Sequence, residues 1–181
     1  QPMTTGEKIK YFRNMRGISQ ETLGQLSGIN SATIKKYEYG IRNPKPDQLL
    51  KIANALGISI NIFMDFDIET VSDVLSLLFK LDDQIDMKFE ADKDDAGNFK
   101  PATVKLSFKN NLINKKLCTY MKALEIRENM INAKDEYSEE EYADSLQHIN
   151  ENIEEIKQHL LDDNMVVKKG TDRLTVKNYP N

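Results

Sequence analysis

Apolar and polar positions follow two different rhythms along this chain, and the change of rhythm divides it. In the first sixty-odd residues apolar side chains recur in short bursts at helical spacing, and cap-forming residues and glycines punctuate them. Thr4 with Glu7 three residues on makes a capping box, after which Ile9, Phe12 and Arg13 repeat at helical spacing until Gly17. Ser19 opens QETLGQLS, in which Leu23 and Leu26 are expected to face inward and Gly28 to take the left-handed position that ends it. Asn30 or Ser31 caps SATIKKYEY, with Ile34 and Tyr37 on the buried side, Tyr39 unassigned and Gly40 at the end. Pro44 and Pro46 punctuate the next loop, Pro46 at a helix start where its missing N–H costs nothing. DQLLKIANALG is then expected to bury Leu49, Leu50, Ile52, Ala53 and Leu56, and Ser59 caps a short fifth helix, INIFM. These short, capped elements predict a helical domain over residues 3–66.

Beyond Phe66 the elements lengthen. Val71, Val74, Leu75, Leu78 and Phe79 repeat on a helix. Ile85, Met87, Phe89 and Ala91 then alternate with charges, as do Val104, Leu106 and Phe108, which predicts two half-buried strands joined through DKDDAGNFKP. A helix from about Leu112 to Ala133 follows, burying Leu117, Tyr120, Met121 and Leu124. Ser138 and Glu141 form a further capping box, and the last helix spaces Tyr142, Leu146, Ile149, Ile153, Ile156 and Leu160 as a two-heptad seam. That seam packs either on the preceding helix or on a second subunit, which makes these six residues the candidate dimerisation surface. The boundaries read 3–66, then 67–164 as a dimerisation and regulatory domain, then 165–181 as a short hairpin or flexible tail.

Charge sharpens the division. The 181 residues carry a net charge of −4, but residues 1–64 hold nine Lys/Arg against four acids, or +5, which leaves −9 for the rest. A basic head on an acidic body directs only the head toward a polyanion. There is no run of apolar residues long enough to span a membrane and no signal-like start; Met3 reads as the natural start behind Gln1 and Pro2, and the expected compartment is the cytoplasm. The single Cys118 has no partner for an intramolecular disulfide and is expected to be a small buried apolar residue.

The second and third helices carry the functional signal. Two short helices joined by a glycine turn form a helix-turn-helix, whose second helix enters the major groove. Gly24 is small where the helices cross, and Gly28 supplies the turn. With Ile34 and Tyr37 anchoring the recognition helix from behind, Ser31, Ala32, Lys35 and Lys36 face outward, two small residues for close approach and two lysines for phosphate or a guanine edge.

SQETLGQLSGINSATIKKYEYGIRNPKPDQLLKIANALGI resembles the phage-repressor/Cro-type (XRE) helix-turn-helix family over roughly Thr5 to Met64. The resemblance implies a repressor-like DNA-binding domain for the five short helices; with the elements read from spacing beyond it, the expected fold is mainly α, that domain followed by an α+β region of helix, β-hairpin and two longer helices. The resemblance also implies that Gln20 binds a phosphate, that Asn30, Ser31, Ala32 and Lys36 contact base edges or the groove with Thr33 and Lys35 at the flank, and that Arg42 and Asn43 hold the next phosphates. Arg13 and Glu38 would form a structural pair. Gly24 stands where alanine is commoner in the family, and Ser27 where a larger apolar residue is frequent.

Other chemistry fits poorly. DKDDAGN has Ala96 at the fifth position of a calcium loop and Thr103 at the twelfth, where a bidentate Glu is needed. His148 and His159 have no partner motif for zinc. Self-cleavage at Ala96-Gly97 by Ser138 and Lys168 or Lys169 is disfavoured because Ser138 is already explained as a helix cap. The expectation is a non-enzymatic regulator without metal or cofactor: a homodimer on double-stranded operator DNA, repressing a prophage, mobile-element or own-operon promoter, with a protein partner or inducer on the acidic region. The alternative is an antitoxin-like interaction module that autoregulates through the same domain.

Overall fold

The computed structural model describes residues 2–171 and 174–179. Helices α1 (Thr5–Met15), α2 (Gln20–Ser27), α3 (Ser31–Glu38) and α4 (Pro46–Leu56) are followed by a 3-10 turn at Ile60–Phe63. Next come α5 (Val71–Gln84), strands β1 (Met87–Glu90) and β2 (Lys105–Phe108), then α6 (Asn111–Asn132) and α7 (Glu139–Leu161). The chain divides into two compact units, Gln1–Asp65 with Lys122–Asn164 and Val176–Asn181, and Phe66–Met121 with Met165–Thr175. The division falls inside α6.

In the first unit the caps do what local chemistry dictates. Thr4, Ser19, Asn30 and Ser59 side chains each accept a backbone N–H from the first turn they open, satisfying donors that a helix start leaves without partners. Gly28 ends α2 with φ 70°, a left-handed conformation that glycine reaches without steric cost. The core is built from Ile9, Phe12, Leu23, Ile34, Ile52, Leu56 and Ile58, all essentially inaccessible.

Two leucines depart from expectation. Leu26 is exposed because the inward arc of α2 runs through Leu23, Gly24 and Ser27, and the Ser27 hydroxyl is satisfied by donating to the Leu23 carbonyl at 2.6 Å. Leu50 is exposed because Leu49, Ile52, Ala53 and Leu56 already define the buried arc of α4, and Leu50 lies a quarter-turn off it. Within this unit α7 packs on α1. Its capping box is complete, with Ser138 Oγ accepting from Glu141 N–H and Glu141 Oε2 accepting from Ser138 N–H, both at 3.2 Å. Of the seam residues Ile153 is buried, and Tyr142, Leu146, Ile149, Ile156 and Leu160 are half-buried.

The second unit holds the hairpin. Its strands pair antiparallel with Met87 opposite Phe108 and Phe89 opposite Leu106. The Asp94 side chain accepts the N–H groups of Ala96 and Asn98, which closes the loop around Gly97. The strands are less covered than alternation implies: Phe89, Val104 and Leu106 are exposed, and Met87 is the buried one. On α6, Leu117 and Met121 are exposed, Tyr120 and Leu124 half-buried, and the buried positions are Ala123 and Met130. Apolar residues are spread around this helix, so its sequence does not single out one face. Cys118 is exposed, not buried as expected. In the terminal segment the Val166 N–H donates to the Thr175 carbonyl at 2.7 Å, folding the chain back on itself.

Candidate nucleic-acid interface

The interface is built on α3, and its rigidity comes from behind. Ile34 and Tyr37 are sunk into the core, which fixes the rotation of the helix and turns Ser31, Ala32, Lys35 and Lys36 to solvent. Thr33 is half-buried at the flank. The turn into α3 is set by two close approaches. A Cβ on Gly24 would stand 2.7 Å from the Ile29 carbonyl oxygen, and Asn30 Oδ1 accepts the Ala32 N–H at 2.8 Å. Asn30 therefore spends its carbonyl on the cap and keeps its amide N–H groups for an outside acceptor.

The C-terminal end of α3 is held by a buried charge pair. Arg13 Nε and Nη2 donate to the two Glu38 carboxylate oxygens at 2.8 and 2.9 Å, and Arg13 Nη1 donates to the Ile18 carbonyl at 2.9 Å. The Glu38 side chain is 2% exposed, so the fork geometry serves the fold and leaves no face toward a ligand. The hydrogen bond to Glu38 raises the Arg13 pKa above its already high ordinary value. Gln20 joins the pair, its amide donating to Glu38 Oε1 at 3.2 Å from the half-buried first position of α2.

Sequence reasoning missed Gly6, whose role depends on a contact between distant segments. A Cβ there would collide with the Tyr37 carbonyl oxygen and stand 2.9 Å from that of Glu38. The first turn of α1 thus lies directly on the end of α3. The signal available was a glycine within an otherwise well-capped helix, where it has a cost unless packing requires it.

Beside α3 lies an open cleft of about 480 Å³. It brings together Asn30, Thr33, Arg42 and Asn43, and adds Lys45 and Gln48, which were also missed. Asp47 is on the same wall. Arg42, Asn43 and Lys45 are exposed, so the loop after α3 presents two cations and an amide next to the helix. Lys35 Nζ sits 6.0 Å from the Tyr39 ring centroid, at the outer limit of a cation–π contact. Lys36 projects from the neighbouring position of the exposed face. The surface offers cations, hydroxyls and amides around two small residues, which suits phosphate and base edges. Among the described residues, no group of three or more His, Cys, Asp or Glu side chains is arranged to hold a metal.

Comparison with known proteins places this geometry. The family described as Helix-turn-helix matches residues 9–63. Residues 9–63 form a helix-turn-helix domain. Over 60 residues the chain is 35% identical to an uncharacterized HTH-type transcriptional regulator of Sinorhizobium medicae (strain WSM419), covering 33% of this chain and 43% of that protein. It is 31% identical over 71 residues to YonR, an SPbeta prophage-derived uncharacterized HTH-type transcriptional regulator of Bacillus subtilis (strain 168), covering 36% of this chain and 66% of YonR. The chain thus spans less than half the length of the first relative. Among solved structures, the P22 c2 repressor in complex with a synthetic operator is 28% identical, with a TM-score of 0.34 over 36% of this chain and 98% of the repressor. The helix-turn-helix domain accounts for the α1–α4 core, the turn at Gly28 and the outward face of α3. Among the described residues no helix is long and apolar enough to cross a membrane.

Proposed function

We propose that this chain is a sequence-specific DNA-binding transcriptional regulator, a dimeric repressor acting at a prophage, mobile-element or own-operon promoter. The observation that carries the reading is the exposed Ser31, Ala32 and Lys36 face of α3, set on a helix whose back is locked into a helix-turn-helix core. Ser31 and Ala32 allow the helix to approach the groove, and Asn30, Thr33 and Lys36 reach base edges or the adjoining backbone. Lys35 stays at the flank, and Arg42 and Asn43, joined by Lys45 and Gln48 in the cleft, hold phosphates. Gln20 reaches a phosphate through whichever amide group its bond to Glu38 leaves available. Two copies place their α3 helices in successive major grooves about 34 Å apart and block the promoter. Such binding takes place in the cytoplasm, the compartment we assign to the protein.

The likeness to HTH-type regulators, one of them prophage-derived, supports this reading. The test is affinity for a selected operator duplex. Lys36→Ala and Arg42→Ala are each expected to weaken binding by at least ~1 kcal/mol, with Lys36→Ala also relaxing base preference if it reads a guanine edge. Unchanged affinity in both variants would contradict the contact assignment.

A further inference from the structure

The outward face of α3 is one-sided in its hydrogen bonding. Lys35 and Lys36 are exposed and bring ammonium groups, which donate and never accept. Asn30 is the amide at the helix start, and its Oδ1 is turned back onto the Ala32 N–H at 2.8 Å, which leaves its amide N–H groups to point elsewhere. Glu38 is the one carboxylate of the helix, and Arg13 and Gln20 take both of its oxygens inside the fold. The Ser31 and Thr33 hydroxyls can accept singly but form no fork. Ala32 sets a bare methyl among them on the exposed side.

The major groove sorts bases by the same chemistry. Guanine shows two acceptors, N7 and O6, and thymine shows the O4 acceptor beside its 5-methyl group, whereas adenine and cytosine each put an amino donor there. Reading that amino group takes a forked Asn or Gln amide for adenine, or a carboxylate for cytosine. Among the described residues, the exposed face of α3 and its cap offer neither, because the Asn30 carbonyl and the Glu38 oxygens are already spent.

We infer that α3 reads its operator through the keto bases: the Ala32 methyl packs on a thymine 5-methyl group, and the Lys36 ammonium donates to N7 and O6 of a guanine. The amino groups of adenine and cytosine go unread by this helix. This rests on the DNA reading proposed above and adds to it the base atoms that are contacted. Lys36 is selected over Lys35 because Lys35 sits by the Tyr39 ring, 6.0 Å from its centroid, on the flank. Lys36 lies four residues after Ala32, so the two share one face with Cβ atoms about 5–6 Å apart. Base pairs stack about 3.4 Å apart, so the thymine and the guanine belong to pairs no more than two steps from each other.

The test uses the duplex that the 181-residue chain enriches from a random-sequence library, remade with base analogues one position at a time. Uracil in place of the contacted thymine removes the 5-methyl group and is expected to weaken binding ~4-fold, the loss of one buried methyl. 7-Deazaguanine in place of the contacted guanine removes the N7 acceptor and is expected to weaken binding ~10-fold. The uracil loss is expected to vanish in Ala32→Gly, and the 7-deazaguanine loss in Lys36→Ala. Each comparison is made within one protein, so a variant that binds more weakly overall still reports it. Lys36→Gln, which supplies an amide fork, is expected to reselect A·T in place of G·C at its own pair. Three results would each overturn the inference while leaving the DNA reading standing: analogue duplexes that bind like the parent, losses that persist in both variants, or Lys36→Gln reselecting the wild-type site. Failure to enrich any duplex would overturn both.

Discussion

Glu38 ties the end of α3 to α1 through Arg13. It is a carboxylate buried in the basic part of the chain, and Arg13 and Gln20 together satisfy both of its oxygens. Glu38→Ala leaves the part-buried Arg13 guanidinium without its counter-charge, which should cost ~2–3 kcal/mol, below the full range for a buried pair because Arg13 keeps some access to water and its bond to the Ile18 carbonyl. Urea unfolding followed by far-UV circular dichroism should show that loss. Gly6→Ala is expected to cost ~1–3 kcal/mol in the same assay, because the new Cβ meets fixed backbone carbonyls of α3. Lys36→Ala, on the exposed face, should stay within ~0.5 kcal/mol of wild type while weakening DNA binding. The contrast separates residues that hold the helix from those that read through it. Glu38 was legible through the family resemblance, which implies its pairing with Arg13. Gly6 was not, because its neighbour is more than thirty positions away.

The helices of the first unit were legible because caps and stops are local chemistry, written within four residues of each boundary. Burial was less so. Leu26 and Leu50 sit beside apolar arcs without belonging to them, and periodicity in helices of 8 and 11 residues cannot separate adjacent positions sharply. The tie between α1 and α7 was not legible at all. Arg16, at the C-cap of α1, donates from Nη1 and Nη2 to the Asp162 carboxylate at 2.9 and 2.7 Å, and from Nε to the Leu56 carbonyl. The Arg16 hydrogen bonds hold the Asp162 pKa below the usual carboxylate value. A carboxyl with a depressed folded-state pKa binds its proton more readily when unfolded, so its contribution is complete above the unfolded value near ~3.9 and is lost as pH falls through the folded one. Asp162→Asn should therefore lower the unfolding midpoint at pH 6, and the gap to wild type should narrow as the pH is brought below 4.

At the scale of the molecule, the helix-turn-helix was visible from spacing and from the placement of its glycines, whereas the grouping of residues 122–164 in one unit with the first helices was not, since it rests on contacts between distant segments. In the proposed account the exposed face of α3 reads DNA and the loop after it grips phosphates. The most direct test is selection of duplexes from a random-sequence library by the 181-residue chain, followed by affinity for the winner at increasing salt. The account predicts an enriched inverted repeat with half-sites about one helical turn apart, and log K falling linearly with log salt at a slope of about −0.9 for each phosphate neutralised. Failure to enrich any sequence, with equal affinity for selected and scrambled duplexes, would contradict it.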